Sequence, residues 1–229
     1  MVSATQFKTQ DRKESIPPLE PGDRLTRLEF HRRYATMPHL KKAELVEGVV
    51  YVPSPVRYTE HGKPHGTITG LLFMYTAATP GVEFADNATV ILDADNEVQP
   101  DALLRLVNGS ARVNADGYLE GAPELLAEIA ASSAAYDLHD KMRAYRRNGV
   151  QEYLVWQVYE ERIDWFYLNE GRYAPLTADE NGILRSQIFP GLHLHARALL
   201  RGDLAAAMAT AQAGLQTAEH TAFVRELSA

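Results

Sequence analysis

The chain has 229 residues and a mass of 25.5 kDa, with 45% hydrophobic and 23% charged residues, the balance of a globular protein rather than of a disordered, collagenous or coiled-coil one. It has no cysteine, which excludes a disulfide scaffold, a thiol nucleophile and Cys-ligated zinc or iron–sulfur, and which suits a reducing cytoplasm. The net charge of −7 disfavours tight, indiscriminate binding of nucleic acid by counterion release, yet it tolerates a metal-dependent enzyme acting on phosphate.

Residues 1–22 read as a flexible polar arm with Pro17, Pro18 and Pro21, and they lack the apolar core of a secretory signal. No stretch approaches about 18 uninterrupted apolar residues, so no membrane span is expected. Leu25, Leu28, Phe30 and Tyr34 predict a short amphipathic helix up to about Thr36. Two β-branched runs follow, Ala43–Val46 and Val49–Val52, around Glu47-Gly48. They predict a tight hairpin with the glycine at positive φ.

Ile68, Leu71, Leu72 and Tyr75 place a second helix from His65 to about Ala77, stopped by Pro80-Gly81. Residues 82–92 and 98–107 read as strands, 108–122 as a glycine-containing loop, and 124–131 as a central strand. Tyr136 to Asn148 is a helix with Gly149 as its left-handed stop. Glu152–Val158 and Arg162–Leu168 are strands, and 196–212 and 215–227 are Ala-rich helices. This order predicts an α/β (α+β) sandwich around a mixed sheet.

One residue is out of character. Glu128 interrupts the apolar string Leu125-Leu126-Ala127 and Ile129-Ala130-Ala131, and a carboxylate inside a sheet needs a partner because its desolvation costs several kcal/mol (order of magnitude). Asp101, at the start of another strand, offers a second carboxylate for a shared divalent cation. A structural ion pair of Glu128 with Lys141 or Arg143 satisfies the same need and is the commoner arrangement. Lys141 falls at the edge of the apolar stripe of its helix, where it can reach a carboxylate or extend its amine into water.

Other patterns carry less. His193-x-His195 could place two rings on one strand face but lacks a third ligand. Gly62 and Pro64 argue against a helix holding both His61 and His65. Asp93-x-Asp95-x-Glu97 reads as a solvated turn, since Val98 and Leu104 stand where a calcium loop needs glycine and an acid. Ser132 and Ser133 have no base placed beside them and read as capping or loop polarity. Phosphate-loop, dinucleotide-binding and nucleophile-elbow motifs are absent.

The string from Ala43 to Tyr51, Val98-Gln99-Pro100-Asp101, Gly121 through Ile129, Tyr136 through Tyr145 with Gly149-Val150-Gln151-Glu152-Tyr153, and Phe189-Pro190-Gly191-Leu192 occur in this order. Together they resemble a large bacterial family of restriction-endonuclease-like proteins in the PD-(D/E)XK nuclease superfamily, over roughly residues 25–195. The resemblance implies a nuclease-like domain over 23–200, with 201–229 as a helical extension, and a mixed sheet flanked by helices in αβββαβ order. It implies a Mg²⁺- or Mn²⁺-dependent endonuclease acting on DNA, leaving a 5′-phosphate and a 3′-hydroxyl. Asp101, Glu128 and the backbone carbonyl of Ile129 would hold the metal, Lys141 would orient water or stabilise charge, and Glu44 would add a further acid.

The sequence departs from the superfamily pattern at Ala130, where the lysine two residues after the second acid would stand. It departs from the family's own pattern at Gln99, where an arginine is frequent before the Pro-Asp pair, and at Ala131-Ser132-Ser133-Ala134, which replaces a Ser-Pro. Two alternatives remain open: a non-catalytic binding or assembly module on the same fold, and a hydrolase of a smaller phosphate ester. A homodimer is expected by analogy with two-strand cleavage.

Overall fold

A computed structural model describes residues 16–131 and 133–229. Residues 1–15 of the expected arm, and Ser132, lie outside the described residues. The first helix, α1 (Arg27–Tyr34), is capped by the Thr26 hydroxyl, which accepts from the Glu29 N–H, and it buries Phe30. The hairpin β1 (Glu44–Val46) and β2 (Val49–Tyr51) turns on Glu47 and Gly48, both at positive φ (53° and 72°). The expected glycine is there, and the glutamate shares the left-handed conformation of the turn.

A π-helical turn, Tyr58–Gly62, runs straight into α2 (Lys63–Ala77). The helix therefore begins before His65, and one continuous helical segment carries both His61 and His65 (ring centroids 5.4 Å apart), contrary to the expectation from Gly62 and Pro64. Pro64 is accommodated as the second residue of α2, directly after the π-helical turn.

Then come β3 (Val82–Asp86), β4 (Val90–Ile91), β5 (Glu97–Val98), β6 (Ala102–Leu106), β7 (Arg112–Val113), β8 (Leu119–Glu120) and β9 (Leu125–Ala130). The two long strands expected over 82–92 and 98–107 are thus broken. Asn87 at φ 50° ends the first, and β4 and β5 leave for a different sheet. The expected loop at 108–122 contains two short strands of that same sheet.

After β9 the chain forms α3 (Ala134–Tyr136), a second π-helical turn Asp137–Lys141, and α4 (Met142–Asn148), closed by Gly149 at φ 82°. The remainder is β10 (Glu152–Gln157), β11 (Arg162–Asn169), β12 (Arg172–Pro175), β13 (Ile183–Arg185), β14 (His193–His195), α5 (Ala196–Arg201), α6 (Leu204–Leu215) and α7 (Ala218–Leu227).

The main sheet has the order β12-β11-β10-β9-β6-β3. It is mixed, with β9 and β10 parallel and the other neighbours antiparallel. A second six-stranded sheet, β2-β1-β5-β4-β8-β7, carries the hairpin. Along the main sheet the chain runs α2, β3, β6, β9, α4, β10, which is the αβββαβ order expected.

Period-two alternation splits β9 between two cores. Leu125, Ala127 and Ile129 pack toward α2, α5 and α6, while Leu126 and Ala130 pack toward α4 with Tyr145, Tyr153 and Val155. Glu128 therefore shares the α4 face. The last helices also belong to the core, since Ala207 and Ala211 are buried in the α2 cluster with Phe223 and Leu227 against it. Among the described residues no helix is long and apolar enough to cross a membrane.

Candidate active site

β6 and β9 are antiparallel with Ala102 opposite Ala127, so the same register brings Asp101 opposite Glu128 one step on. Directly opposed residues of an antiparallel pair share a face, with Cβ atoms roughly 4.5–5.5 Å apart. The Ile129 N–H donates to Asp101 Oδ2 at 2.8 Å, which ties the end of β6 to β9 at this step. Both acids are buried, at 4% and 3% exposure.

Lys141 comes to Glu128 from the opposite layer. Its ammonium donates to Glu128 Oε1 at 2.8 Å and lies 2.9 Å from Glu44 Oε2 and 3.8 Å from Asp137 Oδ1. The Tyr145 hydroxyl donates to the same Glu128 oxygen at 2.9 Å. Lys141 is 2% exposed, so the expected reach to a carboxylate is there and the alternative of an amine in water is not. The phase assumed for a regular α-helix does not apply, because Asp137–Lys141 is a π-helical turn that buries both of its ends. Such turns are wider by one residue and recur at functional sites.

Glu44 arrives from β1, and its Oε1 accepts from the Gln99 N–H at 2.8 Å, which links the second sheet to this cluster. The hydroxyl of Ser133 donates to Asp137 Oδ2 at 2.6 Å. The Tyr136 ring lies 5.5 Å below the Lys141 ammonium.

Three residues at the site were not singled out as functional by sequence. Lys42 Nζ stands 3.2 Å from Asp101 Oδ1, and His61 Nε2 stands 3.1 Å from Asp101 Oδ2. His65 Nε2 is 2.9 Å from the Asp101 carbonyl oxygen and 2.7 Å from Asp86 Oδ1. The four-residue spacing of the histidines is the signal the sequence carries, and Gly62 and Pro64 obscure it. Asp137 is a fourth acid, present in the matched helix string from Tyr136 to Tyr145 but given no role by sequence reasoning.

The electrostatics follow from four buried carboxylates (Glu44, Asp101, Glu128, Asp137) facing two lysines (Lys42, Lys141). Burial raises the pKa of Glu128; Lys141 opposes the rise, and Asp101, Asp137 and Glu44 add to it. Asp137 is raised for the same reason. Burial alone would lower the pKa of Lys141, but Glu128, Glu44 and Asp137 hold its proton well above the usual lysine value. Asp101 behaves differently. Burial would raise it, yet the His61 hydrogen bond, the Lys42 charge and the Ile129 N–H hold it well below the ordinary carboxylate range.

Among the described residues no group of three or more His, Cys, Asp or Glu side chains stands arranged around a metal position. The carboxylates are turned to the ammonium groups instead. The pair His193 and His195 stays outside the site: both sit on β14, and His195 Nδ1 accepts from the Ala198 N–H to cap α5. Asp93 does close a turn, accepting from the Asp95 N–H, but Glu97 is buried at 2% exposure against His31 (2.9 Å) rather than solvated.

The mixed α+β fold with its αβββαβ core is that of the restriction-endonuclease-like class. The chain belongs to the Uma2 family, described as "Putative restriction endonuclease", whose model matches residues 28–197. It is also similar in structure to a crystallised "putative nuclease" from Anabaena variabilis ATCC 29413, with a TM-score of 0.58 and 14% identity, over 74% of this chain and 96% of that one. At that identity the likeness speaks for the fold. No curated protein matches the chain. The family supports nuclease activity in general.

Proposed function

We propose that the protein is a Mg²⁺- or Mn²⁺-dependent endonuclease that hydrolyses phosphodiester bonds of DNA, with Asp101 and Glu128 as the metal-holding pair. The observation that carries this reading is the register that opposes Asp101 and Glu128 inside an acid-rich, nearly closed site. The donor set fits the ion. Four carboxylates stand against two lysines, so acids outnumber the basic lysines here, and carboxylate oxygens are the ligands Mg²⁺ prefers. Asp101, Glu128 and the Ile129 carbonyl are the proposed ligands. When bound, the metal supplies Lewis-acid charge toward the scissile phosphate and acidifies a water.

The chain's own residues do the rest. The Ile129 N–H fixes the orientation of the Asp101 carboxylate. Lys141, kept protonated by its three acids, holds Glu128 and Glu44 in place and adds a permanent positive charge near the centre where charge develops on phosphate. Tyr145 restrains Glu128 from the same helix. Hydrolysis through this site would leave a 5′-phosphate and a 3′-hydroxyl.

The test is cleavage of supercoiled plasmid at substoichiometric protein, with Mn²⁺ calorimetry alongside, on the wild type, Asp101→Asn and Glu128→Gln. Metal-dependent cleavage that chelator removes is expected in the wild type, with both cleavage and Mn²⁺ binding lost in the variants while circular dichroism stays unchanged. Cleavage retained in Asp101→Asn overturns the assignment. A wild type that neither binds Mn²⁺ nor cuts points instead to a non-catalytic module, a reading favoured by the closed pairing of the acids with Lys42 and Lys141.

A further inference from the structure

The two lysines of the site are not equivalent. Lys141 has a 3% exposed side chain and is enclosed by Glu128, Glu44 and Asp137, so it cannot turn to an incoming group without abandoning three buried acids. Lys42 has a 23% exposed side chain and contacts Asp101, whose side chain is 5% exposed. It therefore forms the solvent-side cover of that carboxylate. The sequence explains the placement. Lys42 precedes β1 by two residues and stands two before Glu44, so with extended backbone both side chains fall on the same side of the strand, toward the cluster.

The two oxygens of Asp101 are also unlike. Oδ2 is held from within by the Ile129 N–H (2.8 Å) and flanked by His61 Nε2 (3.1 Å), whereas Oδ1 faces Lys42 at 3.2 Å. An ammonium on a carboxylate oxygen occupies the place a cation would take there. A lysine is also a compact charge on a flexible four-carbon stem, which lets it leave one anion for another nearby.

Building on the metal-dependent reading above, we infer that Lys42 is a catalytic residue with two positions: on Asp101 Oδ1 in the metal-free protein, and on the phosphate of the bound nucleic acid once the metal engages Asp101. In the first position it competes with the metal. In the second it supplies the accessible positive charge that Lys141, locked in the interior, cannot offer. The phosphodiester is recognised here as an anion, independent of base sequence.

The experiment compares wild type, Lys42→Met and Lys42→Arg by three readouts: Mn²⁺ affinity by calorimetry without nucleic acid, the KM and kcat of plasmid or oligonucleotide cleavage in Mn²⁺, and the thermal midpoint. Lys42→Met is expected to bind Mn²⁺ about tenfold more tightly, since a competing unit charge has left a partly buried carboxylate. The same variant is expected to lose about 10²-fold in kcat/KM, the usual scale for deleting one charge-stabilising donor. Lys42→Arg keeps the charge and should stay near wild type in metal affinity while recovering most of the turnover.

Tighter metal with poorer turnover is a combination that a merely structural lysine does not produce, because loosening the site would weaken both. Weaker Mn²⁺ binding together with a lowered midpoint in Lys42→Met, or turnover unchanged in it, overturns the role of Lys42 while the metal-dependent reading stands. Absence of both Mn²⁺ binding and cleavage in the wild type overturns that reading and the role of Lys42 with it. Should Lys42→Met fail to fold, Lys42→Gln replaces it, with the same two opposed shifts expected.

Discussion

Replacing Lys141 by methionine isolates the charge that holds the candidate site together. The side chains are similar in length and apolar stem, so packing changes little, but the ammonium between Glu128 Oε1 (2.8 Å), Glu44 Oε2 (2.9 Å) and Asp137 Oδ1 (3.8 Å) is gone. Leaving a buried carboxylate uncompensated costs about 3–5 kcal/mol. The protein has a cheaper escape, which is to bind one more proton on an acid that burial has already raised.

The cost of that proton sets the scale. For a glutamate with an unfolded pKa of 4.5, neutralisation at pH 7 spans about 2.5 pH units, or about 3 kcal/mol at about 1.36 kcal/mol per unit. At pH 5 the span is about 0.5 unit and the cost falls below about 1 kcal/mol. A raised carboxyl binds more protons folded than unfolded, so the variant regains stability as pH falls toward 4.5 and loses it as pH rises. Lys141→Met should therefore unfold roughly 6–12 °C below wild type at pH 7 and within a few degrees of it at pH 5.

Urea or thermal melts at the two pH values measure this directly. A double-mutant cycle with Glu128→Gln should recover much of the pH 7 loss, because the acid left without its partner is then removed. A loss under about 1 kcal/mol at pH 7, or one that grows on acidification, would falsify the account of Lys141 as the counterion of a buried acid cluster.

Two further predictions concern the frame of the site. Glu152 is fully buried on β10 and accepts from the Ser186 hydroxyl (2.7 Å), the Gln187 N–H (2.6 Å) and the Ile188 N–H (3.3 Å). Burial pushes its pKa up to about 7 against these hydrogen bonds, so stability present below 4.5 is lost as pH rises through about 7. Glu152→Gln should flatten that decline, gaining about 3 kcal/mol relative to wild type between pH 5 and pH 8.5 in urea titrations; parallel curves for the two proteins would contradict it. Gly191 stands at φ 86°, where a Cβ would approach His220 Cβ to 2.7 Å and the Gly214 carbonyl oxygen to 2.8 Å. Gly191→Ala should cost about 2–5 kcal/mol from backbone strain and overpacking against the C-terminal helices, seen as a lowered thermal midpoint; a neutral result would mean that those helices do not bear on the core.

The chemistry of Glu128 was legible in one dimension because it violates a local rule: an acid in an apolar strand must have a partner, and Lys141 thirteen residues on supplies one. The strands β9, β10 and β11 and the helix stop at Gly149 were legible for the same reason, since burial periodicity and positive φ leave marks within a few residues. That Asp101 and Glu128 could share a site was legible from two strands each carrying an acid, but their direct opposition was not, because strand register depends on pairing across 27 positions of chain.

Only the tertiary structure brought Lys42, His61 and Asp137 to the cluster. Each comes from a different element, and each looks in sequence like an ordinary surface polar residue. The π-helical turns ahead of α2 and within the Lys141 helix also escaped a reading based on 3.6-residue periodicity, and they decide which way His61 and Lys141 point. What the sequence by itself determined was where a buried charge had to be satisfied. Which groups satisfy it was settled by packing two sheets and two helices around it, since contact between distant segments leaves no periodic trace in the chain.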